Sequence, residues 1–212
     1  MFKRILTISA HADDTALCAG GLLARCKQEG VATFDITFSQ HKGVPSNYYP
    51  DKIVKEHAAA LDILGTEENY LYDIGACNGE FVSKSGWIMF ILENLREDIQ
   101  PDLVITHPGF DTNQDHVALN REVIRTFKSF CSIMTYDFPS NCMGAGNSMA
   151  YFSINEEAIK SKIEAILQYD SQVDDKYHYY MDEDTVSSLA TVRGMQIKED
   201  FAEAFYVERS IF

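Results

Sequence analysis

Residues 5–38 read ILTISAHADDTALCAGGLLARCKQEGVATFDITF, and this stretch decides the fold. Residues 5–8 form a short apolar run of the kind that makes a buried strand. Residues 16–28 then carry apolar side chains at helical spacing, Gly30 supplies the stop that helix ends favour, and residues 34–38 open a second strand. Strand, helix and strand in so short a span predict a βαβ unit with its strands parallel.

The same alternation continues outward. Residues 52–64 place Ile53, His57, Ala60, Leu61 and Leu64 on one helical face, and Gly65 ends it. Strands are expected at 70–74, 103–106 and 133–136, and helices at 87–95, 116–130 and 156–167. Residues 205–207 are expected to close an edge. Strands separated by helices of this length imply a doubly wound α/β sheet, mostly parallel, with helices on both faces. No repeat or linker interrupts the chain, so residues 1–212 are expected to form a single domain.

Composition narrows the function classes. Hydrophobic residues make up 46% and charged residues 24%, ordinary for a globular protein. A formal net charge of −14 argues against nucleic acid as a partner, since phosphates call for clustered Lys and Arg. Five cysteines without a C-x-x-C pattern suggest reduced thiols. With no signal-like opening and no apolar run of about 20 residues, the expectation is a cytoplasmic protein without a transmembrane segment. The expected partner is a small molecule, and the sequence is compatible with a homo-oligomer.

In parallel sheets, sites lie beyond the carboxyl ends of the strands. The first strand runs into Ser9-Ala10-His11-Ala12-Asp13-Asp14-Thr15. A hydrolytic zinc site wants about three N/O ligands and one open position. His11 and Asp14 can supply two ligands, leaving Asp13 to accept a proton from water. The plainer alternative is that Asp13 or Asp14 caps the helix that follows. The strand at 103–106 runs into His107-Pro108-Gly109-Phe110-Asp111-Thr112-Asn113-Gln114-Asp115-His116, where His116 is the simplest third ligand. His41, His57 and His178 are read as ordinary surface or core histidines.

His11-Ala-Asp-Asp resembles the A-H-P-D-D-E opening of the PIG-L/LmbE-like zinc N-deacetylase family. Asp111, Asn113, Asp115 and His116 resemble its D-x-N-x-D-H motif. Ala19-Gly20-Gly21, Tyr136-Asp-Phe-Pro-Ser140, the helix bearing Lys162, Ser171-Gln172, Arg193-Gly194 and Ala202-Glu203-Ala204-Phe205 are similar to further pieces in the family's order. The resemblance implies a Rossmann-like fold and removal of N-acetyl groups from N-acetylglucosamine-type sugars. It also implies Zn2+ held by His11, Asp14 and His116, with Asp13 as general base and Asp115 as the acid that orients the second motif. Other divalent transition metals suit the same ligands. The chain departs from the pattern at Thr15, where the motif carries Glu, and at Ala12, where it carries Pro.

An amine is a poor leaving group and needs a proton. His107 is the candidate donor, while Asn113 can offer only a hydrogen bond to the oxyanion. Tyr48, Tyr49 and the tyrosines near Tyr177 could stack on a sugar ring. Asp182, Glu183 and Asp184 either line the pocket, favouring a neutral sugar over a phosphorylated one, or form a solvated face. Two rival functions remain. His11-x-Asp13…His116 also spells an Fe(II) oxygenase triad, and a degenerate family member would bind an amino sugar without cleaving it.

Overall fold

The computed structural model describes residues 2–40, 50–74, 80–138, 140–142, 149–173 and 180–211. Strands β1 (Arg4–Ser9), β2 (Ala32–Thr37), β3 (Glu68–Leu71), β4 (Leu103–Thr106) and β5 (Ser132–Tyr136) are parallel. Two further strands, β6 (Met149–Ile154) and β7 (Phe201–Arg209), complete a seven-stranded sheet in the order β3-β2-β1-β4-β5-β7-β6. β7 is antiparallel to both of its neighbours. The order reverses at β1, so a crevice opens between the ends of β1 and β4, the usual place for a site.

Helices cover both faces. On one side α1 (Asp14–Glu29), α2 (Pro50–Leu64), α5 (Glu156–Ile166) and α7 (Glu183–Met195) pack together through Leu23, Leu61, Ile159 and Val186. On the other, α3 (Ser85–Ile99) and α4 (Gln114–Phe127) press Ile88, Leu92 and Val123 against Leu6, Ile8 and Val104. With both faces covered, β4 and β5 are buried at every position and read as unbroken runs. A short helix, α6 (Asp170–Val173), joins the first group: Glu56 of α2 accepts both the Ser171 N–H and its hydroxyl. Among the described residues, no helix is long and apolar enough to cross a membrane.

The expectations for the parallel half hold in type and order; three differences concern the far edge, α7 and the bounds of β3. Residues 205–207 do not close an edge; they lie inside β7, between β5 and β6. The edge is β6, a strand not expected from the sequence although MAYFSI is largely apolar; its side chains are half-buried except at Ile154. Helix α7 escaped the periodicity reading because its buried residues are only Val186, Ala190 and Gly194. β3 starts two residues before the expected strand, at Glu68, because an outer strand tolerates polar residues.

Close packing explains the small residues. A Cβ on Gly21 would lie 2.6 Å from Ile154 Cδ1 and 3.1 Å from Glu203, so this glycine lets α1 approach β6 and β7. Gly194 is as tight, and against backbone: its Cβ would meet the Glu199 carbonyl oxygen at 2.6 Å. Glu203 binds the pieces together, its carboxylate accepting the Gly21 and Leu22 N–H groups at 2.9 and 2.7 Å and Lys162 Nζ at 2.6 Å. Three scattered pieces of the resembling pattern thus form one buried structural cluster.

Candidate metal centre

Two loops build the site, one after β1 and one after β4. The first closes on itself: the His11 N–H donates to Asp14 Oδ2 at 2.8 Å. Asp14 begins α1, so its carboxylate sits at the positive end of the helix dipole. Asp13 occupies the N-cap position, yet its side chain makes no capping hydrogen bond. It is buried beside His11. The capping alternative therefore does not account for Asp13.

The second loop is capped by Asn113, whose Oδ1 accepts the Asp115 N–H at 2.9 Å. This cap starts α4 at Gln114, two residues before the expected boundary, and puts His116 in the first turn. Asp115 and His116 are both buried. Asp111 turns back to accept the Asn113 N–H at 2.7 Å and the His116 Nδ1–H at 2.8 Å.

The loops bring His11, Asp14 and His116 together. His11 Nδ1 lies 3.1 Å from His116 Nε2, and Asp14 Oδ2 lies 3.5 Å from each of those nitrogens. A tetrahedral zinc with bonds of about 2.0–2.1 Å puts its ligand atoms about 3.3 Å apart, so the triangle fits the ion. The outer atoms fit too. Asp111 fixes the His116 proton on Nδ1, and Asp115 Oδ2 faces His11 Nε2 at 3.5 Å. Each ring therefore turns a lone pair inward, the carboxylate–histidine arrangement that supports metal ligands. His107, Asp111 and His116 also come within reach of one another. Asp111, however, is committed to His116 Nδ1, and His107 Nε2 accepts the Ala10 N–H at 3.0 Å. Those two residues support the loops.

The electrostatics follow from this crowding. Burial opposes a charge on His11, but the Asp115 and Asp14 carboxylates outweigh it and raise the imidazole to about 10. Burial also opposes the Asp14 charge, yet the His116 ring beside it holds its carboxyl well below the usual range. His107 goes the other way. Burial, with His116 alongside, lowers it to about 4, which leaves a neutral ring stacked on His116 at 3.7 Å.

Around this centre lies a buried polar layer that spacing did not reveal. Thr15, at the position where the resembling motif has Glu, donates to Asp35 Oδ1 of β2 at 2.7 Å and shares a hydrogen bond with Ser9. Ser9 also contacts the Tyr136 hydroxyl, and Tyr136 sets its ring edge-on to His107. His57 is a buried histidine whose Nδ1 meets the Ala12 carbonyl at 2.9 Å. Asp35 stands between Phe34 and Ile36, an alternation that does not announce burial on both faces of the sheet. Asp111 was quoted within its motif, but a loop position does not tell which ring nitrogen it will face.

One helical turn along α1 from Asp14, a cavity of about 640 Å³ opens, with Leu17, Cys18, Asp137, Phe138, Tyr180 and Arg193 among its walls. A few residues past Phe138, the Asn141 carbonyl accepts the Thr112 N–H at 3.2 Å, so the cavity wall and the second metal loop are joined. Asp182 is the N-cap of α7, accepting the Thr185 N–H; Glu183 and Asp184 are exposed, Asp184 at the cavity rim. Tyr48, Tyr49, Tyr177, Tyr179, His41 and His178 lie outside the described residues.

Comparison with known proteins agrees with this architecture. The chain is 25% identical over 176 residues to the uncharacterized deacetylase YaiS of Escherichia coli (strain K12), covering 80% of this chain and 91% of YaiS. The fold matches N,N'-diacetylchitobiose deacetylase from Pyrococcus horikoshii with a TM-score of 0.75 at 18% identity, over 97% of this chain and 84% of that one. It also matches the 4-carboxy-2-hydroxymuconate hydratase GalB of Pseudomonas putida KT2440, with a TM-score of 0.75 at 19% identity and coverage of 99% and 98%. At such identities the solved structures establish a shared fold, and GalB is a reminder that one fold hosts several chemistries. The PIG-L model, GlcNAc-PI de-N-acetylase, matches residues 6–127, which include both loops of the candidate centre. With more than half of its length matched, this chain belongs to the PIG-L family.

Proposed function

We propose that the protein is a zinc-dependent amide hydrolase that removes an N-acetyl group from an amino sugar or amino-sugar conjugate. The observation that carries this reading is the triangle of His11 Nδ1, Asp14 Oδ2 and His116 Nε2, with edges of 3.1, 3.5 and 3.5 Å. Family membership supports the reaction class, as do the deacetylases among its relatives and fold neighbours. The Fe(II) oxygenase reading loses its support. The fold is doubly wound α/β, and the carboxylate facing the two imidazoles belongs to Asp14, not Asp13.

When bound, zinc supplies a Lewis-acid charge that brings the pKa of water from 15.7 to about 7 and polarises an acyl oxygen. The protein's own residues do the rest. His11, Asp14 and His116 hold the ion, and Asp111 and Asp115 keep the ring lone pairs turned toward it. Asp13, uncommitted as a cap, takes the proton from the attacking water and returns it to the leaving amine. His107 is a poor donor because its neutral ring already accepts the Ala10 N–H through Nε2; its work is to brace the first loop. Asn113 uses Oδ1 as a cap, which leaves its amide hydrogens to meet an oxyanion.

The test is acetate release from N-acetylglucosamine, a nucleotide conjugate of it, and N,N'-diacetylchitobiose, using zinc-loaded protein and its Asp13→Asn variant. The parent should cleave at least one of them. The variant should keep its zinc but lose about 10²–10⁴ in turnover, the worth of a positioned base. Zinc-replete parent that binds an N-acetyl amino sugar yet releases no acetate would instead identify a non-catalytic binder.

A further inference from the structure

We infer that Asp35, in the middle of β2, is a positioning residue for the metal loop, acting through Thr15 and His57 on either side of Asp13 and Asp14. The inference rests on the metal reading above. Asp35 is fully buried, and a carboxylate taken out of water is costly unless donors surround it. Thr7 Oγ1 donates to Oδ1 at 2.7 Å and Thr37 Oγ1 to Oδ2 at 3.1 Å. These two threonines belong to the sheet and supply part of the carboxylate's solvation.

The other two partners reach out of the sheet. Thr15 Oγ1, next to Asp14 in the first turn of α1, donates to Oδ1 at 2.7 Å. His57 of α2 brings Nε2 within 3.4 Å of Oδ2 without a hydrogen bond, an ion-pair contact only when both ring nitrogens carry protons, while its Nδ1 donates to the Ala12 carbonyl at 2.9 Å. The same carbonyl takes the Tyr169 hydroxyl at 2.6 Å. The loop is thus gripped from behind at Ala12, between His11 and Asp13, and again at Thr15, just past Asp14. The Thr15 grip ends on the Asp35 carboxylate, and the His57 ring that holds Ala12 lies against the same group.

Such grips matter because a ligand set works only when held within about 0.5 Å of its geometry. His11 and Asp14 come from one short loop whose middle is Ala12, a residue with little stiffness of its own. A polar network that was wholly internal to the sheet would leave that loop unsupported. This network instead joins β2, α1 and α2 at the loop, and Ser9 and Tyr136 carry it on to the His107 ring. Asp35 therefore fixes the direction of His11 and Asp14 without touching the metal.

Zinc affinity, measured by competition with a chelator, tests this in the parent, Asp35→Asn, Thr15→Val, His57→Gln and Thr15→Val/Asp35→Asn. Thermal unfolding of the metal-free proteins is followed in parallel. Asp35→Asn should weaken zinc binding by about 10–100-fold, the usual effect of removing an outer partner. Thr15→Val and His57→Gln should each weaken it by a smaller factor, and Thr15→Val should add little once Asp35 is Asn. Folded variants that melt lower but keep the parent's zinc affinity would reduce Asp35 to a structural residue and overturn the inference. Should Asp35→Asn not fold, parental affinity in both Thr15→Val and His57→Gln overturns it equally. Parent protein that binds no zinc would refute the metal reading itself, a result distinguishable from all of these.

Discussion

Helix α1 meets two buried charged clusters, and they are built on opposite principles. Near its middle, Glu203 is surrounded by donors: Lys162 Nζ and the Gly21 and Leu22 N–H groups. Every bond there runs from a donor to an acceptor, so the cluster is complete within the chain. At the start of α1, three acceptors face one another instead, because Asp111 and Asp115 draw the ring protons of His116 and His11 outward. Converging lone pairs repel unless a cation lies between them; on His11 the Asp115 and Asp14 carboxylates favour a second ring proton, which can fill that place in the metal-free fold. A buried cluster that satisfies itself is architecture, whereas one that turns its acceptors inward is a site for a cation.

The sharpest break in this contrast comes from removing one member of the inward-facing set. His116→Ala should abolish stoichiometric zinc binding and reduce acetate release to background, while the far-UV spectrum stays parental. Elemental analysis decides it: full zinc occupancy in that variant would mean that other residues hold the ion. Lys162→Met should do the reverse. It leaves Glu203 buried without its cation and should cost about 3–5 kcal/mol of stability in denaturant unfolding, toward the lower end because two backbone donors remain. Zinc affinity of the folded fraction should not change. A variant that lost zinc along with stability would show that the two clusters are coupled through α1.

Acidity separates the clusters by a smaller amount. His11 has its pKa raised from 6.5 to about 10 in the metal-free fold, so its proton stabilises that fold fully below pH 6.5. The contribution is lost as pH rises through about 10. Zinc must displace this proton, which makes apparent affinity rise by about tenfold per pH unit above neutrality. Metal-free protein should accordingly become less stable as the pH is raised over the same range. Titration calorimetry in buffers of different ionisation enthalpy counts the released proton; a flat affinity profile would mean that His11 is not the ligand being freed.

The two clusters also differ in how far the sequence announced them. The metal loops follow apolar runs at 5–8 and 103–106, and their His and Asp residues stand where a parallel sheet exposes its strand ends. Parallel strands must be joined by crossovers, so strand–helix alternation alone gave most of the sheet. What stayed hidden depends on approach through space. Glu203 and Lys162 meet across 41 positions. Asp35 alternates with Phe34 and Ile36 as an exposed polar residue would, yet helices on both faces bury it. α7 lacks an apolar stripe because only Val186, Ala190 and Gly194 of it are buried, and β6, though largely apolar, is short and half-buried at the edge where the sheet turns antiparallel.

The smallest expected effect concerns the acidic run at the start of α7, where the sequence allowed either a pocket lining or a solvated face. Asp182 is committed locally: Oδ1 accepts the Thr185 N–H at 2.9 Å and Oδ2 its hydroxyl at 2.7 Å. These bonds lower its carboxyl below the usual range, the hydroxyl bond first, and they satisfy a helix N-terminus that would otherwise hold unpaired donors. Glu183 and Asp184 add favourable charge to the same first turn and are exposed. Charges in water are screened within about 8 Å at physiological salt. Asp182→Ala should therefore lower the unfolding midpoint slightly, as the loss of a cap does, and leave the ratio of rates on N-acetylglucosamine and its phosphate unchanged. The competition is run at two salt concentrations with parent and variant side by side. If the variant gains rate selectively on the phosphate, and the gain fades as salt is added, the run acts on the substrate and Asp182 is more than a cap.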